Sequence, residues 1–163
     1  MKSTFVIAAL VASSATQALA QDITPLNQIV DHSVWTRPNV TQAEAFQYVE
    51  DFGIRCSAIY YSAAKDALAT PALNHMAETF TSQASTMMIA GASAIAVRSE
   101  VSMDKALKEF AQPRVIYVGN LLQDLKFKER AAHGQSDENS IFWQDMTVCQ
   151  NYYQAVREIT FGQ

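Results

Sequence analysis

Residues 41–69 read TQAEAFQYVEDFGIRCSAIYYSAAKDALA, and the spacing of their apolar side chains decides the fold. Thr41-Gln42-Ala43-Glu44 is a capping box, in which threonine and glutamate each satisfy a backbone N–H of a first helical turn. Phe46, Val49, Phe52, Cys56, Ile59 or Tyr60, Ala63 and Ala67 then recur three and four residues apart, one face of a helix. Gly53 falls inside this pattern at a cost of about 1 kcal/mol relative to alanine, and it suits the close approach of a neighbouring helix.

Three further helices follow from the same reasoning. Thr70-Pro71 ends the first and opens the second, because proline disfavours helix before it yet fits the first helical position. Leu73, Met76, Phe80, Ala84, Met87, Gly91 and Ala94 or Ile95 mark the second buried face, with an end near Arg98-Ser99. Ser102, Asp104 and Lys105 start the third, whose face is Leu107, Phe110, Tyr117 or Val118, Leu121 and Leu125. Pro113 lies within it and predicts a kink or a break. Lys126, Lys128 and Arg130 lead to a stop at His133-Gly134, read as a solvated helix end whose cations complement the dipole. The fourth helix is capped by Asp137, Asn139 or Ser140 and shows Phe142, Asp145 or Met146, Cys149, Tyr152, Val156 and Ile159 on one face.

Four amphipathic helices with short connections predict an all-α domain, an antiparallel four-helix bundle running up-down-up-down. Cys56 and Cys149, the two cysteines of the chain, fall mid-helix on the predicted core faces of the first and last helices. These helices are neighbours in such a bundle, so a disulfide joining them is expected. The loop it closes is about 90 residues long, for which chain entropy predicts roughly 4–5 kcal/mol. Two buried reduced thiols and a reactive thiol activated by Arg55 are the competing readings. Neighbouring helical residues point in different directions, and no C-x-x-C is present.

Residues 1–20 have the pattern of a signal peptide: Lys2, an apolar run from Phe5 to Ala12, then Ala18-Leu19-Ala20 before Gln21. The apolar run falls short of the roughly 20 residues needed to span a bilayer. The short charged start resembles Gram-negative export signals, so a periplasmic or secreted protein is expected. Residues 21–40, punctuated by Pro25 and Pro38, read as an N-terminal arm, either extended or with a short helix near Leu26 to Val30, and with Trp35 as its packing anchor. Residues 41–163 make the helical-bundle domain.

The segment after residue 20 carries 11 basic and 16 acidic residues, a poor match for nucleic acid or for an anionic membrane surface. Five glycines and four prolines argue against disorder and against a turn-rich β protein. The apolar stretch Met87 to Val97 is eleven residues long, too short to cross a membrane, and no stable membrane insertion is expected. His32, His75 and His133 are scattered, without the paired spacing of a metal site, and no cofactor is expected. Asn39-Val40-Thr41 matches a glycosylation sequon by chance in this reading.

Tyr60-Tyr61 and Tyr152-Tyr153 follow the two cysteines. They close the sides of the bundle around the disulfide, or they line an aromatic groove. The chain contains no familiar catalytic arrangement, which favours an exported, non-enzymatic accessory or protein-interaction module. Its partner would be a protein, and its oligomeric state is open. A carrier of a small apolar ligand between the helices is the first alternative, suggested by Met76, Phe80, Met87 and Met88. An enzyme with a cryptic site at His75 or His133 is the second.

Overall fold

A computed structural model describes residues 23–133 and 140–162, which are mostly helical with no strand among them. The expected signal peptide, Gly134 and the candidate caps Asp137 and Asn139 lie outside the described residues, as do the side chains of Trp35 and His133. The arm contributes one helical turn, α1 (Leu26–Ile29), and a 3₁₀ turn, His32–Trp35. Leu26, Val30 and Val34 are its buried side chains.

Helix α2 (Gln42–Ala69) starts on the capping box: the Glu44 N–H donates to Thr41 Oγ1, and the Thr41 N–H donates to the Glu44 carboxylate. Pro71 opens a 3₁₀ turn, Pro71–Met76, before α3 (Ala77–Arg98) begins. Leu73 and Met76 are therefore displaced from the α-helical face on which their spacing put them, and both are exposed. Where α2 meets α3, Gly53 lies against Gly91. A Cβ on Gly53 would stand 2.6 Å from the Gly91 nitrogen and 2.7 Å from the Met87 carbonyl oxygen. Any larger residue would have to push the two backbones apart.

The third rod is built from three pieces in sequence: α4 (Met103–Lys105), a π-helical turn (Ala106–Ala111) and α5 (Gln112–His133). Ser102 caps it by accepting from the Lys105 N–H. Of the kink or break expected at Pro113, there is no break: the helical path runs through it. In the π turn the Gln112 N–H reaches back five residues to the Leu107 carbonyl. This wider turn immediately precedes the proline, which has no N–H to continue the ladder and crowds the preceding turn of a regular helix. The extra residue also shifts the phase of the rod. Its buried positions include Ala106, Ala111, Val115, Gly119, Leu122 and Lys126. Of the expected face, Leu107 and Val118 pack against the core, Phe110 is exposed, and so is Tyr117, the alternative to Val118.

Helix α6 (Ile141–Phe161) begins at Ser140, whose hydroxyl accepts from the Trp143 N–H. Its buried face is Phe142, Asp145, Met146, Cys149 and Val156, but Ile159 near its end is exposed. α2 packs against α3, α5 and α6, and α1 rests on α6 and α2. One apolar core results, with Phe52, Ile59, Tyr60, Met87, Leu122 and Val156 fully buried in it. Among the described residues, no helix is long and apolar enough to cross a membrane.

Candidate functional site

The disulfide joins α2 to α6 as expected, with Cys56 and Cys149 Cα atoms 5.5 Å apart and both residues fully buried. Arg55 does not serve the neighbouring sulfur. Its Nε donates to Asp145 Oδ2 at 2.6 Å, and its Nη2 donates to the Thr24 carbonyl at 3.3 Å. The other Asp145 oxygen accepts from the Leu26 N–H at 2.7 Å. Asp145 is thus satisfied on both oxygens while fully buried. Burial pushes its carboxyl above the ordinary range, against the opposing pull of Arg55 and the Leu26 N–H. The sequence pattern had put Asp145 or Met146 on the core face of the last helix, and a charge there implies a buried partner. The partner is 90 residues away, which no local spacing reveals.

The arm is pinned a second time at His32. Its ring stacks on Tyr152 at 4.1 Å between centroids, and its Nδ1 shares a 2.8 Å hydrogen bond with the Tyr48 hydroxyl. His32 Nε2 is buried with no hydrogen-bond partner among the described residues. Burial lowers the His32 pKa, with Asp31 opposing. His75 sits elsewhere, with Glu78 and Tyr153 around an open depression.

The four tyrosines are divided among different environments. Tyr60 and Tyr153 meet edge to face at 6.1 Å, and Phe80 stacks on Tyr60 at 6.4 Å. Tyr60 is fully buried, and desolvation raises its phenol far above the usual value. Tyr152 belongs to the His32 cluster. Tyr61 is exposed, with Lys65 Nζ 4.9 Å above its ring.

Phe80 connects this aromatic layer to a cavity of about 320 Å³ between α2, α5, α6 and the Pro71–Met76 turn. Small buried residues of α2, Ala63 and Ala67, leave the space. Leu73, Met76, Phe80, Phe142, Trp143 and Met146 supply apolar walls. Lys126 and Arg130 of α5 enter from one side. Contrary to the expectation of a solvated cationic helix end, Lys126 is largely buried. It pairs with Asp66, and its Nζ lies 4.4 Å above the Phe142 ring. Arg130 is exposed and has no ion-pair partner among the described residues. The volume falls at the lower end of the roughly 300–1,000 Å³ of small-molecule sites. Leu73 and Met76 were legible as apolar positions, but Trp143 was not singled out, and the convergence of the three required the 3₁₀ turn and the start of α6 to be placed.

Elsewhere, Glu50 of α2 accepts from both Arg98 and Arg114, which ties α2 to the end of α3 and the start of α5. Among the described residues, no group of three or more His, Cys, Asp or Glu is placed to hold a metal ion. Comparison with protein-family models, with curated proteins and with solved structures finds no match.

Proposed function

We propose that the protein is an exported, non-enzymatic helical-bundle module that works in the periplasm or outside the cell by binding a partner at the cavity end of the bundle. The observation that carries this reading is the cluster of accessible apolar side chains there. Leu73, Met76 and Trp143 are 44%, 37% and 40% exposed while lining one cavity. Contact with a partner would remove that surface from water, at roughly 25 cal/mol per Å² of apolar area. In this reading residues 1–20 direct export, the oxidised disulfide suits the compartment, and the four long rods run up-down-up-down.

A photo-crosslinking residue at Leu73 or Trp143, compared with one at exposed Phe110, tests the site in the native envelope. A discrete adduct from the cavity positions alone is expected. Equal labelling from Phe110, or none from any position, refutes the reading. Fractionation with mass measurement of the mature N-terminus tests export, with Gln21 expected first.

A second reading is that the cavity itself holds a small apolar ligand, making the protein a carrier. The apolar lining of the space by Phe80, Phe142 and Met146 favours it.

A further inference from the structure

The cavity has a polarity along it. Phe80, Phe142 and Met146 make its interior apolar, and its two cations come from the α5 side. Lys126 is committed: it pairs with Asp66 and rests over the Phe142 ring, so the pair contributes no net charge. Arg130, one helical turn further along α5, is exposed and has no ion-pair partner among the described residues. Among the described residues the lining therefore has a net charge of one positive unit, carried at an accessible guanidinium beside an apolar interior.

A guanidinium presents a planar fork of donors that fits a carboxylate through two parallel hydrogen bonds. A neutral apolar molecule would leave Arg130 unused, and an ammonium head would be repelled by it.

We propose that this cavity binds an aliphatic monocarboxylate of medium chain length, with its hydrocarbon among Phe80, Phe142 and Met146 and its carboxylate on Arg130. The proposal rests on the second reading above, that the cavity holds a ligand. Volume limits the tail: a cavity near 320 Å³ cannot enclose a long acyl chain. The chemistry is that of a free fatty acid, and a diacyl membrane lipid does not fit.

Calorimetric titration of the oxidised protein with decanoate, decanol and decylamine, each below its aggregation threshold, tests both levels. Saturable one-to-one binding of decanoate is expected, at least about fivefold tighter than decanol, with decylamine weakest. Arg130→Gln, a change at an exposed position, should remove the preference for decanoate and leave decanol unchanged. Leu73→Glu, also exposed, places a negative charge at the same lining and should weaken decanoate more than decanol. Equal affinity for the three head groups, or an unchanged preference in the Arg130→Gln protein, overturns the carboxylate assignment while the cavity still stands as a ligand site. No saturable binding by any of the three overturns the ligand-holding reading as well.

Discussion

Arg55 on α2 and Asp145 on α6 form a buried ion pair, Nε to Oδ2 at 2.6 Å, beside Cys56 on one helix and one turn before Cys149 on the other. The Leu26 N–H closes the arrangement from the arm. Helix, helix and arm are thus fastened at one level of the bundle by a covalent bond and a charged one.

Removing one member of this pair should be costly. Asp145→Leu leaves the Arg55 guanidinium buried without its counter-ion and the Leu26 N–H without an acceptor, and Arg55→Met leaves a buried carboxylate. Each single change should cost roughly 3–5 kcal/mol. The double variant Arg55→Met/Asp145→Leu should recover most of the loss, because apolar residues of similar size commonly replace a buried pair at little cost. Urea unfolding of the four proteins of the cycle gives the answer, and a double variant as weak as the sum of the singles would contradict it.

The glycine crossing makes a graded prediction. On Gly53 a Cβ would meet backbone atoms of α3 at 2.6 and 2.7 Å, whereas on Gly91 the nearest atom is Ile54 N at 3.2 Å. Gly53→Ala must separate α2 and α3 and should cost on the order of 3 kcal/mol or more, the upper end for overpacking. Gly91→Ala needs a small adjustment, and part of its strain is offset by the better helix propensity of alanine. Equal destabilisation of the two variants in denaturant melts would count against this crossing geometry.

The disulfide spans a sequence separation of 93. On the chain-entropy relation its removal by Cys56→Ala/Cys149→Ala should cost about 4–5 kcal/mol, which corresponds to a fall in Tm on the order of 10 °C. Calorimetry with and without reductant on the parent should reproduce the same shift. A reduced protein that melts with the oxidised one would show the bond to be energetically idle.

Docking of the arm should respond to pH through His32. Burial lowers its folded pKa below the ordinary value of 6.5, so the folded arm favours the neutral ring. The resulting stability is present above pH 6.5 and is lost as pH falls through the lowered folded pKa. The protonated ring carries an N–H on both nitrogens, and Nε2 is buried with no hydrogen-bond partner among the described residues. Hydrogen exchange at the Val30 and Val34 amides should therefore quicken between pH 7.5 and pH 5, after correction for intrinsic rates. His32→Phe keeps the stack on Tyr152 and should flatten that dependence.

Legibility in the sequence depended on how local the cause was. The capping box at Thr41 and Glu44 and the period through Phe52, Cys56 and Ala63 located α2, because each signal acts within one or two turns. The core positions of Cys56 and Cys149 likewise led to the bridge. Part of the third rod's face was misread because the π turn sets the buried residues Ala106 and Ala111 five positions apart, and later positions inherit the shift. Leu73 and Met76 fit an α-helical period but lie in a 3₁₀ turn, so they line the cavity from an exposed segment. The Arg55–Asp145 pair and the His32–Tyr152 stack are tertiary, and no spacing in the chain encodes their meeting.

The Cys56–Cys149 bond also divides the molecule into a closed ring and two tails. The ring runs from Cys56 through α3, the π turn and α5 to Cys149, and both tails project from the same covalent junction. His32 in one tail stacks on Tyr152 in the other. A single backbone cut within the ring would leave one molecule of unchanged mass, apart from an added water, that separates into two pieces only on reduction.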